Sequence, residues 1–217
     1  MGMTNAARAR PRGGRSILKP LAVGLGVVVV LFALLVGGWL IFIALRSPPA
    51  GFAPSIGRPA AVAGEADGEL QYTVDARSRR EWVYFDFSSG TVVSTSRESL
   101  DWDLAFKRTD ILTNGGETNP AGGGGAVDLG EIPLSEAVLP ADGYLADATD
   151  DENGVENPAL HKWYSYNWTT HIVNSKGHTF ALRTATGELV LLKFASYYCD
   201  DGSSGCITLQ YVHPNPP

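Results

Sequence analysis

The chain has 217 residues, 44% of them hydrophobic, which suits one globular domain with additions. Its formal net charge is −6, but all 23 acidic residues lie after Arg46, together with only 11 of the 17 Lys and Arg. Residues 47–217 therefore carry −12 and residues 1–46 carry +6. So acidic a globular part excludes ordinary nucleic-acid binding, because phosphates need a positive footprint.

Residues 1–20 form a basic tail that holds Arg8, Arg10, Arg12, Arg15 and Lys19. The run LAVGLGVVVVLFALLVGGWLIFIAL, residues 21–45, has no charge. As a helix it spans about 37 Å, more than the roughly 30 Å hydrocarbon core, and lipid forces its backbone to bond internally. The run is too long for a signal-peptide core, and no convincing A-x-A cleavage site follows it. An uncleaved single-pass anchor in the bilayer is the expectation. The basic residues before it, against only Arg46 close behind, place the N-terminus in the cytoplasm and the rest in the periplasm of a bacterial inner membrane. Gly24, Gly26, Gly37 and Gly38 allow close helix packing, without a strict G-x-x-x-G motif.

Residues 46–69 are rich in Pro, Ala and Gly, lack apolar periodicity, and read as an extended tether. From residue 70 the pattern turns to period two. EWVYFDF, SSG and TVVSTS read as a hairpin. In LDWDLAF the alternation assigns Trp102, Leu104 and Phe106 to one face and Asp101, Asp103 and Ala105 to the other. SEAVLPADGY has room for a short helical turn. Near the C-terminus, Phe180 and Leu182, then Val190, Leu192 and Phe194, then Ile207, Leu209 and Tyr211 alternate in three successive strands of a meander. The fold class is mostly antiparallel β, one domain over residues 70–213, followed by a Pro-rich tail at 214–217.

Cys199 and Cys206 flank DDGSSG between strand-like runs and read as a hairpin closed by a disulfide, worth about 2–3 kcal/mol, in an oxidising compartment. Two thiols with no third ligand nearby make a poor metal site.

Chemistry-bearing patterns are few. The loop TNGGETNPAGGGGAVDLG, residues 113–130, lacks the Lys and the following helix of a P-loop, so its glycines are assigned to backbone geometry. DATDDENGVENP has Thr149 where a calcium loop needs its first acid. His171 and His178 flank IVNSKG, read as a hairpin turn. They are the candidate metal or haem-iron ligands, facing each other across two strands, though two ordinary histidines are the plainer reading. HKWYSYNW, with Trp163, Tyr164, Tyr166 and Trp168, suits either a sheet face or an exposed docking patch. Asn167 starts a formal glycosylation sequon. No nucleophile–base or paired-carboxylate signature occurs, so no enzyme activity is expected.

Trp102, Asp103, Phe106, Arg108, Thr113, Asn114, Gly115 and Gly116, together with Phe180, Arg183, Thr184, Gly187, Lys193, Tyr197 and Tyr198, resemble the motifs of the HmuY-like family of bacterial extracytoplasmic proteins. The resemblance covers residues 70–211 and implies a hand-like all-β fold. It also implies haem capture, the activity of the founding members, but their iron ligands lie outside these motifs and transfer to no residue here. Haem-scavenging members are typically lipid-anchored or released at the outer surface, whereas this chain carries a full apolar helix. Two functions are therefore expected. The first is a non-catalytic scaffold subunit docked on a larger integral membrane complex, respiratory or photosynthetic, with no cofactor. The second is a haem-binding protein.

Overall fold

The computed structural model describes residues 18–62, 68–152 and 154–214, with side chains described from residue 24 onward. Residues 1–17 of the basic tail and residues 215–217 lie outside the described residues. The chain divides into two compact units, residues 1–46 and 47–217.

The first unit is helix α1 (Leu18–Ala44). From Gly24 on, its side chains are apolar all round, with Leu25, Phe32, Leu35 and Ile41 all exposed, so no polar face marks it as a surface helix of a soluble core. Its stretch Gly24–Ala44 is long and apolar enough to cross a membrane. Beyond the helix end, the Arg46 guanidinium lies 4.5 Å over the Phe42 ring.

The second unit is built from antiparallel β-sheets. One has six strands in the order β1 (Ala60–Ala61), β2 (Leu70–Asp75), β14 (Ser204–Val212), β13 (Leu189–Tyr198), β12 (Thr179–Arg183) and β7 (Gly125–Asp128). The other has four, ordered β4 (Thr91–Val93), β3 (Val83–Asp86), β5 (Leu104–Lys107) and β6 (Asp110–Thr113). Two hairpins stand apart from both sheets: β8 (Ala148–Asp150) with β9 (Gly154–Glu156), and β10 (Tyr164–Asn167) with β11 (Ile172–Ser175). A 3-10 turn, Leu134–Glu136, begins one residue before SEAVLPADGY, the stretch given room for one, and covers only its first two residues.

Period-two alternation decides which side chains meet. Phe180 and Leu182, Val190, Leu192 and Phe194, and Ile207, Leu209 and Tyr211 join one core with Phe85, Leu104 and Phe106 of the four-stranded sheet. Burying each such side chain contributes roughly 1.5–3 kcal/mol. The opposite faces are covered too. Ala181 and Leu191 pack with Leu134 outside the six-stranded sheet. Trp102, Ala105 and Leu112 form a third cluster outside the four-stranded sheet.

That third cluster corrects one expectation. Trp102 does not share a face with Leu104 and Phe106. The strand begins only at Leu104, after a bend at residue 103, so alternation cannot be extended back through it.

A second correction concerns the segment read as a tether. It lies along the six-stranded sheet from Ala50 onward. Ser196 Oγ donates to Ala50 O at 2.9 Å, Phe52 N donates to Tyr198 O at 2.9 Å, and Ser55 N donates to Thr73 O at 2.8 Å. Gly51 approaches so closely that a Cβ there would meet Cys199 O at 2.1 Å. The segment then adds β1 to the sheet edge, with Ala60 opposite Gln71. Backbone hydrogen bonds and a close glycine contact carry this docking, and neither leaves an apolar period in the sequence.

The hairpin of β13 and β14 is closed by the Cys199–Cys206 disulfide, with an S–S distance of 2.03 Å.

Candidate functional site

The glycine-rich stretch forms a polar knot inside the β-domain. Asp103 is buried, and its carboxylate accepts from Phe87 N at 2.9 Å and Ala185 N at 3.0 Å, joining both sheets. Burial pushes its pKa from 3.8 up to about 6, against the two backbone hydrogen bonds. Asn114 donates to Ser99 O and Trp102 O at 2.9 and 2.7 Å, and its side-chain oxygen accepts from Asn119. Asp147 is a second buried carboxylate. It accepts from Thr113 Oγ1 and Thr118 Oγ1 at 2.6 Å each and from Asn157 Nδ2 at 2.9 Å. Burial raises its pKa as well, and those hydrogen bonds oppose the rise.

The glycines let backbone pack on backbone. A Cβ on Gly115 would meet Gly124 O at 2.2 Å, and one on Gly116 would meet Asp147 O at 2.1 Å. Phe106 is wholly buried in the main core. Trp102, Asp103, Phe106, Asn114, Gly115 and Gly116 are therefore occupied in holding the domain together. Arg108 belongs with them: it sits in the β5–β6 turn at φ 57 and reaches Ser204 beside the disulfide.

A groove of about 1000 Å³ opens beside this knot, between the four-stranded sheet, the β8–β9 hairpin and the root of the β10–β11 hairpin. Its walls carry Trp82, Lys107, Asp110, Glu156, His161 and Tyr164, with Arg97 and Lys162 among the cations that line it. Lys107 Nζ lies 4.3 Å over the Trp82 ring and 4.0 Å from Asp110. Burial raises the Asp110 pKa, with Lys107 opposing it. His161 Nδ1 lies 3.2 Å from Pro158 O and 3.7 Å from Glu156 Oε1. A carbonyl oxygen can only accept, so Nδ1 is the donor in this contact. Sequence reasoning missed His161, although LHKWY placed it beside the aromatic run.

The named histidines do not come together. IVNS is strand β11 and not a turn. His171 sits at the β10–β11 tip with φ 57, and its Nδ1 is 2.5 Å from the Tyr166 hydroxyl. His178 follows the other end of that strand and pairs with the Asp128 carboxylate at 2.9 Å. Strand β11, four extended residues spanning roughly 13 Å, lies between the two. Among the described residues, no cluster of three or more His, Cys, Asp or Glu could hold a metal ion.

The four aromatics divide. Trp163 is buried, donating from Nε1 to Thr109 O at 3.0 Å and packing 5.1 Å from Phe194, and Tyr164 is half-buried against the same core. Neither belongs to an exposed docking patch. Tyr166 is 53% exposed and Trp168 75% exposed, because they lie on the hairpin that has left the core.

Similarity to known proteins follows this architecture. No curated protein matches the chain. A crystal structure of a candidate HmuY-like haem-binding protein from Bacteroides vulgatus superposes with a TM-score of 0.57 at 19% identity, covering 75% of this chain and 100% of that one. A candidate lipoprotein from Bacteroides fragilis gives 0.56 at 20% identity, covering 72% and 95%. The apo form of an HmuY analogue from Tannerella forsythia gives 0.54 at 18%, covering 69% and 100%. Each shares the fold. The HmuY protein family matches residues 78–211, the stretch from the loop after β2 to the end of the meander, and the chain belongs to that family.

Proposed function

We propose that this chain is a membrane-anchored, non-catalytic binding protein that holds a tetrapyrrole, haem being the type case, in the groove between the β8–β9 hairpin and the root of the β10–β11 hairpin. One observation carries the reading. His161 lines the groove and donates from Nδ1 to the Pro158 carbonyl, with Glu156 beside it, an arrangement in which Nε2 would serve as the ligand. Metal-ligating histidines are fixed by such a hydrogen bond on the other ring nitrogen. Tyr164 supplies a phenol, itself a known kind of haem-iron ligand, and Trp82 a flat aromatic wall. Lys107, Arg97 and Lys162 supply cations for propionate carboxylates. Family membership and a structural neighbour described as a candidate haem-binding protein support the same reading. Haemin titrated into the detergent-solubilised full chain is expected to give a shifted Soret band. The shift should be lost in His161→Ala and kept when His171 and His178 are both replaced. An unshifted band in the wild-type protein would overturn the proposal.

The basic tail and the positive-inside rule support a cytoplasmic N-terminus and a periplasmic β-domain.

A second reading makes the chain a non-catalytic subunit docked through its helix on a larger membrane complex. It is favoured by Gly37 and Gly38, adjacent in α1, whose lack of side chains lets a neighbouring helix approach closely. Migration of the mildly solubilised native protein as a lone species on a native gel would exclude it.

A further inference from the structure

We propose that the β-domain holds a second ligand site, a cavity of about 530 Å³ lined by Tyr211 and Arg58, which takes a small aromatic or aliphatic carboxylate. The cavity shares no lining residue with the groove, and the proposal does not depend on what the groove holds.

The observation that points to a ligand is the Tyr211 phenol. Tyr211 lies near the end of β14 and is wholly buried. Its hydroxyl is closed off from water and has no hydrogen-bond partner among the described residues. An unpaired buried hydroxyl costs folding free energy and gives the fold nothing in return. Tyr72 nearby shows the ordinary arrangement, its hydroxyl 3.2 Å from Thr91 Oγ1 and donating to Ser55 O at 3.4 Å. Burial pushes the Tyr211 pKa up to about 12, so the phenol keeps its proton and can donate it in a hydrogen bond.

The walls supply the rest. Leu70, Pro59 and Phe87 form an apolar seat, with the exposed His213 ring beside them. Phe87 and His213 both stand edge-on to Tyr211, at 5.0 and 5.5 Å between ring centroids. Arg58 is exposed, pairs with no acid among the described residues, and is the only Lys, Arg, Asp or Glu among the described lining residues. A guanidinium together with a phenolic donor suits a carboxylate. Asp86, at the root of the β3–β4 turn, does not line the cavity. Its carboxylate is taken up by Ser88 N at 3.1 Å, Ser88 Oγ at 2.8 Å and Ser89 N at 2.9 Å.

Access to the phenol runs past Gly90. A Cβ built there would lie 3.2 Å from the Tyr211 hydroxyl oxygen and 2.9 Å from Pro59 Cδ, so the glycine and the proline close over it. Ser55 N is bonded to Thr73 O and Ala60 pairs with Gln71, but residues 56–59 between them make no backbone hydrogen bond among the described residues. Lifting that short span breaks no such bond, and a carboxylate that pairs with the uncovered phenol selects the lifted form.

The test uses the detergent-solubilised full chain and two carboxylates of different length, para-fluorobenzoate and para-fluorophenylbutyrate, followed by fluorine NMR against protein-free micelles. The wild-type chain is expected to broaden at least one signal. Its Kd should rise about tenfold in Tyr211→Phe and in Arg58→Gln, and stay unchanged in Lys107→Gln, which alters the groove. Tyr211→Phe should melt no lower than wild type, because the hydroxyl has no partner to lose. No broadening by the wild-type chain would overturn the proposal. So would equal affinity in Tyr211→Phe, the result expected if an ordered water serves the hydroxyl, or a marked drop in that variant's melting temperature. Equal affinity in Arg58→Gln would overturn the choice of a carboxylate, and a loss in Lys107→Gln would move the probes to the groove and overturn the second site.

Discussion

The guanidinium of Arg108 holds Ser204 twice, Nη1 on its carbonyl at 2.8 Å and Nη2 on its hydroxyl at 2.7 Å. The same group lies 5.4 Å over the Tyr197 ring. A turn of the four-stranded sheet is thereby tied to the disulfide hairpin of the six-stranded one. Arg108→Ala is expected to destabilise the domain by about 2 kcal/mol through the lost charged hydrogen bonds. Because the position has φ 57, Arg108→Gly should be about 1 kcal/mol less damaging than Arg108→Ala. Urea unfolding of the two variants side by side checks the order.

Asp103 gives the fold a pH dependence. Its folded pKa of about 6 lies above the ordinary 3.8, so the folded state binds its proton more tightly than the unfolded chain. The resulting stability is fully present below about pH 4 and is lost as pH rises through 6. Its size is on the order of 3 kcal/mol, and the raised pKa of Asp147 acts in the same direction. Asp103→Asn has no proton to lose there. The difference in unfolding free energy between wild type and this variant should therefore slope between pH 4 and 6 and level off on either side. A constant difference across that window would refute the assignment.

Gly116 separates packing from flexibility. Its φ of 59 and the 2.1 Å approach of Asp147 O to a built Cβ leave no room for a side chain. Gly116→Ala is expected to cost about 3 kcal/mol or more from backbone strain and overpacking. Gly130→Ala, also at positive φ but in open space, should cost only about 1 kcal/mol. Thermal unfolding followed by circular dichroism distinguishes the two.

The disulfide closes a turn seven residues long in sequence separation. Replacing Cys199 and Cys206 together by Ser is expected to remove about 2–3 kcal/mol and lower the melting midpoint by roughly 5–10 °C. Reduction of the wild-type protein should reproduce that shift, and calorimetry with and without reductant measures it.

Much of the sheet architecture was legible because alternation is written one residue at a time. Phe180 to Tyr211 reads as three strands, and they pair in that order. The apolar helix and the disulfide hairpin were equally local signals. Alternation misled at Trp102, where a single bend moved the ring to the other face of the sheet. The groove was not legible. Lys107, Glu156 and His161 come from separate elements, and nothing in the sequence spacing says that they line one groove.

Local chemistry thus sufficed for the helix, the strands, the cysteine pair and the family motif, since each depends on neighbours a few residues away. Long-range hydrogen bonding settled the remainder. It turned residues 50–61 from a tether into part of the sheet, buried Trp163 while leaving Trp168 in the open, and kept His171 and His178 apart at opposite ends of a strand. Those outcomes depend on partners up to 146 residues distant, such as Ser196 for Ala50, and no period along the chain encodes them.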